Sequence, residues 1–261
     1  MNETMILWTE HTWNPMSGCT KVTAGCKFCY AQTLAENKRG TKAFPNGFDL
    51  TLRPWKLDEP RAIKRPSLIF TNSMSDFFHE SVTDEYRDQI CDAMDRYPHH
   101  RYQVLTKRPE NAVRYAARRR LPRSVWLGTT IEHQATAYRA GLIASVDASV
   151  HFLSVEPLLG ELTLDLAGIE WVIVGGESGP HLMRPDVCAE RGLVKRRPEG
   201  VKDGPLWTAR EDRAEWVRGL RDQCSSASVP FFFKQWGGPR GEAAGRDLDG
   251  RTWDGMPVGA G

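Results

Sequence analysis

The stretch WVIVGGES, residues 171–178, is an unbroken apolar run that gives way to two glycines, a carboxylate and a hydroxyl. Consecutive apolar residues bounded by glycine suit a strand covered on both faces, as in a parallel sheet, rather than a strand with one wet face. The pattern recurs at SLIF 67–70, YQVL 102–105, VWLG 125–128, VHFLSV 150–155 and VPFFF 229–233, with MILW 5–8 as the first candidate strand. Between these runs the apolar spacing changes to steps of three and four. After Thr83, an N-cap side chain followed by Asp84 and Glu85, residues Tyr86, Ile90, Ala93, Met94 and Tyr97 form one stripe. Tyr138, Leu142, Ile143 and Val146 form a second, and Trp216, Val217, Leu220 and Cys224 a third. Pro109 opens another helix where its missing N–H costs little. Strand and helix alternate, which predicts an α/β fold.

Each apolar run is followed by polar residues: Ser73 and Asp76, Lys107 and Arg108, Glu132, Glu156, Glu177, and Lys234 with Gln235. In a right-handed βα series such strand ends share one rim, so the expectation is a single polar mouth of the kind barrel enzymes use. Any one of these residues also suits a strand end emerging into water. Six in series favour a site.

Composition narrows the classes. With 40% hydrophobic and 26% charged residues, the 261-residue chain reads as one ordinary globular domain, and no apolar run approaches the roughly 18 residues of a membrane span. The opening MNETMILWTE lacks the basic start and apolar stretch of a signal peptide, so the expectation is a cytoplasmic, reducing setting. There, six cysteines are better suited to metal binding or chemistry than to a disulfide framework.

Three of the six, Cys19, Cys26 and Cys29, follow the first candidate strand with spacing C-x6-C-x2-C, just before a helix read from Tyr30 to about Lys38. The N–H groups and positive dipole end of that helix favour a thiolate or an anionic cluster. A structural zinc site closes with four ligands, and His11 or His79 is available to make a Cys3His set. An iron–sulfur cluster on three cysteines instead leaves one iron open, as a catalyst needs. Cys91 and Cys224 fall on helical stripes and read as core. Cys188 carries no signal of its own.

The ending Cys26-Lys27-Phe28-Cys29 resembles the C-x-aromatic-C of radical S-adenosylmethionine enzymes, although the first gap holds six residues where their commonest form has three. Almost end to end, the chain resembles a phage and bacterial family of radical-SAM-like proteins of largely unassigned function. The matching segments include WTEHTWNPMSGCTKVTAGCKFCYA, QVLTKRPE, FLSVEPLLG, WVIVGGESGP, WVRGLRDQC, VPFFFKQWG and LDGRTWDGMP. The resemblance implies a partial (β/α)6-type, TIM-like barrel and a [4Fe-4S] cluster on Cys19, Cys26 and Cys29, with S-adenosyl-L-methionine on the fourth iron. It further implies an electron donor such as flavodoxin or ferredoxin. Ser73 and Asp76, after the second strand, then stand where the methionyl amine binds, and Glu132, after the fourth, where the ribose binds. Lys107, Glu156 and Glu177 are further candidate cofactor contacts from the same mouth.

Two stretches extend this plan. Residues 187–208 form an apparent insertion carrying Lys195, Arg196 and Arg197, read either as a solvated loop or as a lid or substrate arm. Residues 237–261 form a glycine-rich extension in which Asp249-Gly250, between Leu248 and Trp253, signals a two-residue hairpin suited to covering an open sheet edge.

The substrate is less legible. A net charge of +2 sets up no global field for nucleic acid. Arg114, Arg118, Arg119, Arg120 and Arg123 are concentrated locally, and with Trp236 as a stacking surface they suit a nucleotide or DNA base as well as a solvated helix end. The alternative to an enzyme is a zinc-stabilised nucleic-acid-binding module without catalysis.

Overall fold

The computed structural model describes residues 2–200, 203–241 and 243–258. The chain folds as two compact units, one of residues 1–129, 141–152 and 258–261 and one of residues 130–140 and 153–257.

In the first unit, β1 (Asn2–Glu3) runs antiparallel to β2 (His11–Trp13). A small antiparallel pair, β3 (Met16–Ser17) and β4 (Thr51–Leu52), brackets the cysteine segment and the helix α1 (Tyr30–Asn37). The parallel strands β5 (Leu68–Thr71), β6 (Arg101–Thr106) and β7 (Val125–Thr130) follow, with α2 (Asp84–Arg96) and α3 (Pro109–Arg118) as crossovers. Trp13 pairs with Thr71, Thr71 with Val104 and Val104 with Leu127. The continuous apolar runs are explained by burial on both faces: every residue of β5 and β7 is buried. The Thr83 hydroxyl accepts the Tyr86 N–H at 3.4 Å, so the N-cap expected before α2 is made. Tyr86, Ile90, Cys91 and Met94 of α2 pack with Trp13, Ile69, Tyr102 and Leu127 in one core.

A helix α4 (Arg139–Ala144) precedes β8 (Val150–Val155). The second unit continues with β9 (Trp171–Gly175), α5 (Pro185–Arg191), a ribbon of β10 (Val194–Arg196) and β11 (Trp207–Ala209), α6 (Glu211–Ser226) and β12 (Phe231–Gln235). β12 pairs in parallel with β9, Phe232 opposite Ile173. The strand order of the sheet follows the sequence, β1-β2-β5-β6-β7-β8-β9-β12. The fold is mixed α/β, as the alternating pattern predicts, with a parallel sheet of the half-barrel type, as the resemblance implies.

The first strand differs from its expectation. MILW is not a strand: Met5 is 94% exposed, and only Trp8 of the run is buried, packed on Phe70 at 4.7 Å and on Phe152 at 6.4 Å. The ladder is taken instead by HTW at 11–13, whose backbone has the register to meet Ile69–Thr71. The helix expected from Tyr138 to Val146 is also shorter, with Tyr138 left exposed.

The extension forms the expected turn. Asp249 and Gly250 both take positive φ (56° and 81°), and the Leu248 N–H donates to Arg251 O at 2.9 Å. Beyond it the chain runs antiparallel along β12: Phe233 N–H donates to Trp253 O at 2.9 Å and Gly255 N–H to Phe231 O at 3.0 Å. The exposed side of the last strand is thereby paired. The ribbon β10–β11 lies inside the expected insertion; residues 201–202 of that stretch, and 242 and 259–261 of the extension, lie outside the described residues.

Candidate functional site

The cysteine segment is pinned at its root by backbone. Gly18 N–H donates to Met74 O at 2.9 Å and Pro15 O accepts the Tyr86 hydroxyl at 2.7 Å. Asn14 exchanges hydrogen bonds with Ser73 and accepts the Met74 N–H at 2.9 Å. Tyr30, the first residue of α1, donates its hydroxyl to Ser73 O at 2.7 Å. The loop that leaves β2 is thus sewn to the segment that leaves β5.

Cys19, Cys26 and Cys29 are all free and half-buried. Burial pushes the Cys19 thiol up to about 11, and Asp76 adds to this while Arg108 opposes it. For Cys26 burial also acts upward, but Lys107 and hydrogen bonds from the 22–23 backbone and the Thr23 hydroxyl outweigh it and leave the thiol below its ordinary value. Cys29 caps α1 in extended conformation and packs with Cys19 against Ala31, Ala35, Phe44, Phe48 and Met74. Among the described residues no three His, Cys, Asp or Glu side chains stand at closed coordination distance. The donor chemistry fits a thiolate-held iron–sulfur cluster: three free thiols on residues 19–29, with Lys107 and Arg108 as nearby cations.

Asp76 is an anchor. Its Oδ1 accepts the Thr106 hydroxyl (2.7 Å) and Phe78 N–H (3.0 Å), and its Oδ2 accepts Lys107 N–H (3.0 Å) and Arg108 Nη1 (3.0 Å). Four donors fill the usual capacity of a carboxylate. Arg108 goes on to reach Glu80, Thr20 and Cys19. Glu80 is held down at about 2: its burial acts upward and is overcome by hydrogen bonding, Arg108 included. His79 is buried, and burial lowers its pKa. Its Nδ1 accepts the Ser81 N–H at 3.1 Å, so Nε2 carries the proton and donates to the Thr20 hydroxyl at 3.1 Å. With both nitrogens engaged, His79 has no lone pair to complete a Cys3His set. His11, the other candidate, lies in β2, opposite Ile69 in the ladder.

Sequence reasoning named Asp76, Ser73 and Lys107 but missed Asn14, Thr20, Tyr30 and Asn72. Asn72 sits at the end of β5 with φ +67°, only 2% exposed, and neither side-chain polar atom finds a partner among the described residues. A non-glycine residue in the left-handed region is not signalled by composition.

The second unit holds the remaining candidates in three separate groups. Glu156, at the end of β8, takes a two-oxygen ion pair from Lys234 (2.8 and 3.0 Å), with Gln235 Nε2 at 3.4 Å and reaching Ser178 Oγ at 2.8 Å. Gly175 makes room for it, since a Cβ there would stand 3.1 Å from the Glu156 carboxyl carbon. Glu177 is buried against Arg191, with His181 Nε2 3.4 Å away. Glu132 is fully buried, 3.6 Å from Arg139. Trp236 is no stacking surface: it is 5% exposed, set edge-on to Phe233 at 4.8 Å and bonded to Asp247 O.

The fold is shared with solved structures of spore photoproduct lyase. A variant with bound AdoMet and dinucleoside spore photoproduct superposes with a TM-score of 0.51 at 10% identity, covering 87% of this chain and 76% of that one. A cysteine-to-serine variant gives 0.52 at 11% identity with the same coverage. No curated protein sequence matches the chain. One family model, described as "Protein of unknown function (DUF5131)", matches residues 3–189 and 204–257. The unmatched residues 190–203 fall inside the stretch read as an insertion. The chain belongs to the DUF5131 family.

Proposed function

We propose that the protein is a radical S-adenosylmethionine enzyme that holds a [4Fe-4S] cluster on Cys19, Cys26 and Cys29 and acts on a nucleotide or DNA base. The observation that carries this is three free, half-buried thiols on the segment between β3 and α1, in a fold of the kind spore photoproduct lyase uses. That relative's structure contains AdoMet and a dinucleoside photoproduct. When bound, the cluster supplies an electron to the sulfonium of S-adenosylmethionine and so a 5′-deoxyadenosyl radical able to take hydrogen from carbon.

The chain's own residues supply placement. Gly18, Asn14 and Tyr30 fix the cysteine loop against residues 73–75. Lys107 favours the thiolate of Cys26, the ligand form. Ser73 and the unpaired carboxamide of Asn72 offer donors and acceptors for the polar end of the cofactor. A flavodoxin- or ferredoxin-like protein is the proposed reductant.

Anaerobic purification tests the reading. Expected are brown protein with broad absorbance, about four irons per chain, and 5′-deoxyadenosine on incubation with dithionite and S-adenosylmethionine. Cys26→Ala removes both colour and product. Colourless protein with one zinc per chain overturns the proposal.

A further inference from the structure

Arg108 is 6% exposed, and its guanidinium places all five of its N–H groups. Nε donates to Glu80 Oε2 at 2.6 Å. Nη1 donates to Asp76 Oδ2 at 3.0 Å and to Cys19 Sγ at 3.5 Å. Nη2 donates to Thr20 Oγ1 at 2.7 Å and Thr20 O at 3.2 Å. Thr20 in turn donates to Glu80 Oε1 at 3.1 Å and accepts from His79. One planar cation therefore ties a thiol and its neighbouring residue to two carboxylates. It is held from behind as well: its own N–H donates to Thr106 Oγ1 at 2.9 Å, and Thr106 is bonded to Asp76.

We infer that Arg108 is a positioning residue for the cluster, orienting the Cys19 sulfur and setting the cluster's reduction potential through an N–H···S hydrogen bond; the inference rests on the iron–sulfur reading above. Hydrogen bonds to ligand sulfurs are among the terms that set such potentials. A donor aimed at sulfur stabilises the reduced, more negative state and raises the potential. Asp76, next to Cys19, acts in the opposite sense, and Arg108 neutralises it at 3.0 Å. Removing the guanidinium therefore shifts the potential negative twice over, by losing the donor and by unmasking Asp76. Lysine keeps the charge but not the fork. Its donors radiate from one point and cannot serve Glu80, Asp76, Thr20 and Cys19 together.

The test is spectroelectrochemical titration of the anaerobically reconstituted full chain as wild type, Arg108→Lys and Arg108→Gln, with Arg213→Lys as control. Arg213 is also buried, but it donates to the carbonyls of Ala189, Glu190 and Gly192, far in sequence from the cysteines, so its replacement reports a structural cost alone. Expected for Arg108→Lys is at least a tenfold lower ratio of reduced to oxidised cluster at the wild-type midpoint, equivalent to a shift of about 59 mV for one electron, with a larger shift for Arg108→Gln and none for Arg213→Lys. If the Arg108 variants do not fold, Arg108→Met combined with Asp76→Asn removes the buried pair together, and its potential is expected to lie below wild type. Arg108 variants with wild-type potential and iron content overturn the assignment and leave the cluster standing. A wild-type chain that takes up no cluster overturns both.

Discussion

Gly18 holds φ +91°, and a Cβ there would stand 2.4 Å from the Asp49 carbonyl oxygen. Gly18→Ala therefore combines a left-handed alanine with a backbone clash at the root of the cysteine loop. The expected cost is about 1–3 kcal/mol, read as a lower denaturation midpoint at unchanged slope. A second prediction concerns acid. His79 and Glu80 both titrate below their ordinary values of 6.5 and 4.5, Glu80 at about 2. A depressed folded-state pKa means the unfolded chain takes up protons first, so these groups contribute stability above their unfolded values and lose it as pH falls. The loop is expected to weaken in two steps, below pH 6.5 and again between about 4.5 and 2, followed by thiol accessibility or hydrogen exchange at 14–31; His79→Gln removes the upper step. At this scale polar identity was legible and partnership was not. Ser73, Asp76 and Glu177 all read as strand-end polar residues, yet Asp76 is filled by four donors and Glu177 is closed by Arg191, which comes from α5.

Among the elements, the arginines on and after α3 read equally as phosphate contacts or as a solvated helix end. Instead, Arg118 meets Asp88 at 2.5 Å and Arg119 meets Asp92 at 2.7 Å, both acceptors from α2. Arg118→Ala with Arg119→Ala is expected to change affinity for single-stranded DNA by less than about twofold, because these charges are already paired, whereas true phosphate contacts would also lower the salt slope by about one each. Fluorescence anisotropy at two salt concentrations separates the two. The C-terminal extension matters more. Truncation after Gly238 removes the ladder bonds of Trp253 and Gly255 to β12 and the acceptor of Trp171 Nε1 at 2.7 Å. A loss of about 2–4 kcal/mol follows from three hydrogen bonds and the uncovered edge, visible as a drop in Tm. The turn itself was readable because Asp-Gly is one of few pairs that accept positive φ at both positions. The first strand was not, since MILW has the composition of a strand and HTW has only the register.

For the molecule as a whole, the proposed cluster belongs to the first unit. On the proposed reading, chelating the iron is expected to raise hydrogen exchange at 14–31 and 72–80 and to leave β12 unchanged, a contrast measurable in one exchange experiment. No helix among the described residues is long and apolar enough to cross a membrane. Read alone, the sequence determined the alternation of buried strands and amphipathic helices, the cysteine spacing and the terminal turn, because each depends on residues close along the chain. The tertiary structure alone decided which strand opens the sheet, which arginines are neutralised, and that Arg108 joins Cys19 to Asp76 and Glu80 across as many as 89 residues of chain. Hydrogen-bond capacity is a property of a side chain, but its use is settled by whichever distant groups folding brings within about 3 Å.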